Sequence, residues 1–178
     1  LSSNPSNFFL FPWTYLTYAF LHSGFWHLFF NMIMLNFSGR LFLTFFTQKQ
    51  FLGLYILSSI FAGISFVIIY FLMGIEAPIV GASAAVLSVL VATTTYQPLM
   101  EVRLMLIGSI KLWHITAVIV LLDIMQIMIE NTGGHIAHIS GAIFGIIFTK
   151  SLQSGTDLSL IVTNVINFFV NLFQPKKA

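Results

Sequence analysis

Long uncharged apolar runs alternate with short polar breaks along this chain, at a spacing that predicts helices crossing a membrane. No charged residue occurs between Lys49 and Glu76, and 51–73 is apolar almost throughout. As a helix such a run spans the roughly 30 Å of a hydrocarbon core. Four further runs, 26–45, 82–96, 112–129 and 134–150, read as spans joined by short turns. The pattern leaves no room for a soluble domain and predicts an all-α, polytopic transmembrane helix bundle with five spans. The tail 158–173 is apolar but short, and Thr163, Asn164, Asn167, Asn171 and Gln174 recur on it at helical spacing. It is read as a cytoplasmic interfacial helix. The chain accordingly divides into a membrane domain, 1–152, and a tail, 153–178.

Composition strengthens the membrane reading. Apolar residues make up 58% of the 178 residues and charged residues 7%, against about 25% charged in soluble domains. Without cysteine there is neither a disulfide framework nor a thiolate metal site. The net charge of +2 comes without a basic run, which excludes a nucleic-acid footprint. Arg40 and Lys49 bracket the first turn, Arg103 and Lys111 the third, and Lys150, Lys176 and Lys177 follow the fifth span, so all seven basic residues fall on one side. Glu76 and Glu130 mark the other side. The positive-inside rule makes the basic side cytoplasmic. The segment 1–24 is then external, and its aromatic residues, Phe8, Phe9, Phe11, Trp13, Tyr15 and Tyr18, are expected at headgroup depth.

Polar and ionisable groups inside spans are functional candidates because burying them in hydrocarbon is costly. Ser83 stands thirteen residues before Tyr96, at the inner end of its span, which is about 20 Å of helix. That is too short for the hydrocarbon core, so Ser83 lies below the outer surface. His138 precedes Lys150 by twelve residues, about 18 Å, and His27 precedes Arg40 by thirteen, about 20 Å. These three spans run in one direction, so Ser83, His138 and His27 share one depth. Asn31 lies one turn deeper on the face of His27. The stripes Ala137/Gly141/Gly145 and Ala84/Ser88/Ala92 allow close approach of the spans that carry His138 and Ser83. A serine with a histidine base is a nucleophile, and a second histidine with an asparagine can stabilise an oxyanion.

Other polar residues have blander readings. Ser88 is assigned to packing and His114 to the cytoplasmic interface, while His22 and His135 lie near the outer surface and shape the site. Asp123 is the one acid within a span. Of its two readings, third member of a triad or polar contact between helices, the second is adopted.

These residues resemble the signature of the rhomboid family in order, type and spacing over 12–152. His22-Ser23-Gly24-Phe25-Trp26-His27-Leu28-Phe29-Phe30-Asn31 is similar to the first motif, in which His27 and Asn31 match the oxyanion-stabilising side chains. Gly81-Ala82-Ser83-Ala84 resembles the Gly-x-Ser-x motif, with Ser83 matching the nucleophile. Ala137-His138-Ile139-Ser140-Gly141, followed by Gly145, resembles the last motif, with His138 matching the base. The resemblance implies an intramembrane serine endopeptidase that uses a Ser–His dyad without an acid and needs no cofactor. It also implies a bacterial-type enzyme of the cytoplasmic membrane that cleaves transmembrane segments of other proteins near the outer face. Trp13-Thr14 stands where the family often has Trp-Arg, Ala84 where a glycine often follows the nucleophile, and Leu87 where an aromatic residue often stacks on the histidine.

The rival from another class is a non-catalytic rhomboid-like protein that binds membrane clients. Such relatives lose the nucleophile or base, and both are present here. A zinc protease would carry His-Glu-x-x-His, which is absent. An aspartyl protease would need two aspartates at depth, and Asp157 falls in a turn region. An α/β-hydrolase elbow would need glycine at Ala85. Finally, the external placement of 1–24 and the six-helix core of the resembled family predict one more membrane helix ahead of Leu1.

Overall fold

The five apolar runs become five helices in the order expected. The computed structural model describes residues 1–4, 6–104, 108–127 and 131–173. Two short helices, α1 (Ser6–Leu10) and α2 (Thr14–Thr17), and a 3-10 turn, Tyr18–Phe20, lead into α3 (Phe25–Phe42), α4 (Gln48–Met73), α5 (Ser83–Tyr96), α6 (Leu112–Gln126) and α7 (Thr132–Gln153). A last helix, α8 (Ser159–Phe173), follows. At 26 and 22 residues, α4 and α7 are each long and apolar enough to cross a membrane. With 14 residues, α5 reaches only about 21 Å. The charges at Glu130, Lys176 and Lys177 lie outside the described residues.

The short helix is the centre of the bundle. Every residue of α5 from Ala84 to Thr93 is buried, against α7, α3, α4 and α6. Small residues make this possible. A Cβ on Gly141 would collide with the Ala84 carbonyl oxygen, and one on Gly145 would lie 2.5 Å from the Ser88 carbonyl oxygen. The α5 and α7 backbones are therefore in direct contact along the two stripes. Helix-interior hydroxyls bond to the carbonyl one turn back, as Thr93 does to Val89 at 2.9 Å, while Thr149 donates across to the Ala92 carbonyl at 3.1 Å. No hydroxyl in these pairs is left bare in an apolar interior, where each would be costly.

At the C-terminal ends of α3 and α5, Phe42 and Phe46 stack with centroids 4.3 Å apart, and Phe46 meets Tyr96 at 5.0 Å. A capping box of Thr47 and Gln50 opens α4. The turn expected between α5 and α6 is instead an antiparallel hairpin of β1 (Glu101–Leu104) and β2 (Gly108–Lys111). Glu101 and Arg103 point outward and Val102 inward, the alternation of a half-buried strand.

The N-terminal segment differs from expectation in a second way. Of the aromatic residues assigned to the headgroup layer, Trp13 and Phe11 are exposed, but Tyr15 and Tyr18 are core residues packed on α4. Tyr18 is 1% exposed and donates to the Ser59 carbonyl at 2.8 Å. Burial, and then the neighbouring Tyr55, raise its phenol well above the ordinary value, which keeps it a donor. Residues 1–4 run antiparallel to the α4–α5 loop: Ser2 bridges Pro78, Ser3 N–H donates to Ala77 O at 3.0 Å, and Ile79 N–H donates to Leu1 O at 2.8 Å.

α8 is anchored at its start, where the Asp157 carboxylate accepts from the Ser159 N–H at 2.9 Å and from Gln50 at 3.1 Å. Gly53 lies against Ser159 so closely that a Cβ would overlap it. Beyond that contact, Leu160, Ile161, Phe168, Phe169 and Phe173 are exposed, an apolar surface of the kind interfacial helices present to lipid.

Candidate active site

The α4–α5 loop ends at Gly81, whose φ of +129° lies in the region that favours glycine. A Cβ there would also sit 2.9 Å from His27 Cε1 and Nε2. Its N–H donates to the Tyr18 carbonyl at 3.1 Å, which ties the loop to the buried N-terminal segment. The chain then turns directly into α5, with Ser83 as the first helical residue. The first N–H groups of a helix have no partner within it, so the positive end of α5 surrounds the Ser83 hydroxyl.

His138 comes from α7, across the small-residue contact. Its Nε2 lies 2.5 Å from Ser83 Oγ. The shared depth read from residue spacing is thus a direct hydrogen bond between residues 55 positions apart. His138 Nδ1 lies 2.8 Å from Asp123 Oδ1 on α6. The same oxygen is 2.7 Å from His135 Nδ1, one turn before His138. Asp123 is 7% exposed and His135 9%. Asp123 does make the interhelical polar contact expected of it, but the group it touches is the candidate base. The acid-free dyad implied by the resemblance therefore has a carboxylate beside it here.

The third parallel helix contributes its two candidates to the same place. His27, half-buried, sits above Gly81, with Nδ1 3.0 Å from Ser23 Oγ and its ring edge-to-face on His22 at 5.1 Å. Asn31 is buried, and its amide donates to the His27 carbonyl at 2.8 Å. His27, Asn31, Ser83, Asp123 and His138 all line one cavity of about 630 Å³. The cavity runs from Ser23, exposed before α3, down to Leu90. That volume holds many waters, each occupying about 30 Å³ of liquid.

The remaining assignments are mixed. Ser88 packs against α7, its buried hydroxyl without a partner among the described residues. The His114 ring lies tilted against Trp113, with centroids 3.8 Å apart, in the first turn of α6 and outside the cavity lining. Both histidines expected to shape the site reach it: His22 touches His27, and His135 bonds Asp123. Leu87, as expected from the sequence, places an aliphatic side chain in the cavity wall. Residue spacing carried an unused signal for Asp123: it follows Lys111 by twelve residues, about 18 Å of helix, the distance that separates His138 from Lys150. Ser23 had no such signal, since its bond to His27 depends on the turn entering α3.

Asp123, His135 and His138 also form the one group of metal-ligand type among the described residues, with ligand atoms within 4.8 Å of one another. Ligands about 2.0–2.1 Å from a tetrahedral zinc are about 3.4 Å apart. The 2.7 and 2.8 Å contacts are those of N–H donors on a carboxylate.

The Rhomboid domain family matches residues 11–154. No curated protein and no solved structure matches the chain.

Proposed function

The chain belongs to the rhomboid family, and we propose that it is an intramembrane serine endopeptidase hydrolysing transmembrane segments of other membrane proteins near the outer face. The observation that carries this reading is the 2.5 Å contact between Ser83 Oγ and His138 Nε2 inside a cavity below the outer end of the bundle. A serine hydroxyl is a weak nucleophile until a base at hydrogen-bond distance takes its proton. Here the base is already in place.

In this reading a substrate segment unwinds into the cavity and presents a carbonyl carbon to Ser83. His138 Nε2 accepts the hydroxyl proton as Oγ attacks. The negative charge that develops on the carbonyl oxygen is met by the N–H groups at the start of α5, and by the side chains of His27 and Asn31. His138 then returns the proton to the leaving amine, and water from the cavity hydrolyses the acyl-enzyme by the reverse sequence. No cofactor enters these steps. The opening of α5 in the interior of the bundle supplies the depth, and the direct backbone contact of α5 with α7 supplies the short Ser83–His138 distance. The chain sits, in this proposal, in a bacterial cytoplasmic membrane with its C-terminus and basic residues inside.

A non-catalytic client binder of the same family has no need for the Ser83–His138 contact. A serine-reactive fluorophosphonate probe separates the two. Labelling of the full-length protein in proteoliposomes, lost in Ser83→Ala, supports the protease; absence of labelling and of cleavage in the wild type rejects it.

A further inference from the structure

We propose that Asp123 is a positioning residue for the base, so that Ser83, His138 and Asp123 act as a triad steadied by His135. This rests on the protease reading above. For His138 Nε2 to accept the proton of Ser83 Oγ at 2.5 Å, that nitrogen must carry a lone pair. The neutral ring then carries its proton on Nδ1. A half-buried N–H in a membrane bundle calls for an acceptor, and the group 2.8 Å from Nδ1 is Asp123 Oδ1, which as a carboxylate can only accept. The arrangement therefore selects the one tautomer that can deprotonate serine. It also puts a negative charge beside the imidazolium that forms when the proton moves.

His135 accounts for the carboxylate itself. A 7%-exposed carboxylate with a single donor would be poorly compensated for its lost water. A second imidazole N–H reaches the same oxygen at 2.7 Å, from a residue one turn before His138 on the same helix. The two rings stand nearly perpendicular, 87° apart with centroids at 5.8 Å, and so hold Asp123 from two directions. A purely structural tie between α6 and α7 would be complete with His135. The second bond goes to the ring that faces Ser83, and to the nitrogen of that ring which serine leaves free. Asp123 is also the one ionisable side chain among the buried residues of α6, the others being Leu112 and Thr116 in its first turns.

The experiment has two arms on the full-length protein in proteoliposomes. In the first, cleavage of a transmembrane substrate is followed for wild type, Ser83→Ala and Asp123→Asn. A carboxamide in place of the carboxylate can donate as well as accept, so Asp123→Asn allows the wrong tautomer. With that variant kcat is expected to fall about 10³–10⁴-fold, with KM little changed. In the second arm, 15N–1H spectra of histidine-labelled wild type are expected to show His138 protonated at Nδ1 and bare at Nε2 at neutral pH. Asp123→Asn with wild-type kcat overturns the proposal. So does a wild-type spectrum with the His138 proton on Nε2, or with Nδ1 bound to a metal ion. If Asp123→Asn does not fold, the wild-type spectrum decides alone. Failure of the protease reading looks different: wild type and Ser83→Ala are then equally inactive, whatever the tautomer of His138.

Discussion

α5 and α6 stand side by side and are held by different means. α5 is buried over ten consecutive residues, and small side chains bring its backbone against α7. α6 exposes Val118, Leu121, Ile124 and Met125, packs Leu112, Ile115, Ile119 and Val120 against α5, and turns Asp123 toward the site. In a membrane, apolar faces gain nothing from leaving water, so helices associate through close packing or through polar bonds. α5 relies on the first, and α6 adds the second to its apolar contacts, through Thr116 and Asp123. The consequence for the site is a division of labour. The packed pair sets the distance between Ser83 and His138, and in our proposal α6 supplies the group that orients the imidazole.

The comparison is broken most severely at its chemical centre. Ser83→Ala and His138→Ala should each reduce cleavage of a transmembrane substrate to background, while the melting temperature in detergent stays close to wild type. Turnover by either variant at the wild-type rate would remove the nucleophile–base assignment. Next in size is the packed interface. Gly141→Leu drives a side chain into the Ala84 carbonyl, and overpacking of this kind costs about 1–3 kcal/mol or more. Both thermal stability and cleavage should fall together. An unshifted melting temperature would mean that α5 and α7 are not in backbone contact.

Oxyanion support comes third. His27→Ala and Asn31→Ala should each lower kcat by about 10²–10³-fold and leave the protein folded. An Asn31→Ala enzyme with full turnover would limit Asn31 to its bond with the His27 carbonyl. A smaller loss is expected for His135→Ala, which leaves Asp123 one of its two donors; its kcat should lie between wild type and Asp123→Asn. The smallest effect belongs to the outward face of α6. Leu121→Ala should change stability by no more than about 0.5 kcal/mol and leave kcat unchanged, as thermal melts and single-substrate kinetics would record.

Much of this protein could be read along one dimension. Apolar run length placed the five spans in order, and the fold follows them as α3 to α7. Rise per residue placed His27, Ser83 and His138 at one level, because depth in a helix is a linear function of position. The four-residue stripes of small side chains foretold the α5–α7 contact for a similar reason: a face repeats with the helical period whatever lies opposite. The alternation of Glu101, Val102 and Arg103 was present for the hairpin too, though a short strand among long apolar runs is masked by their stronger signal.

Tertiary structure decided the matters that depend on rotation about each helix axis and on which neighbour is met. Asp123 stands at the depth of His138, yet only packing turns its carboxylate toward His138 Nδ1 rather than toward another helix. Tyr15 and Tyr18 have the composition of a headgroup belt, and only the docking of α2 and the 3-10 turn on α4 makes them core. Gly81 is a glycine in a loop by sequence; the His27 ring above it is what forbids a side chain. Depth is local to one helix and can be counted along the chain. The direction in which a side chain points is settled by contacts among several helices at once, and those exist only in the folded bundle.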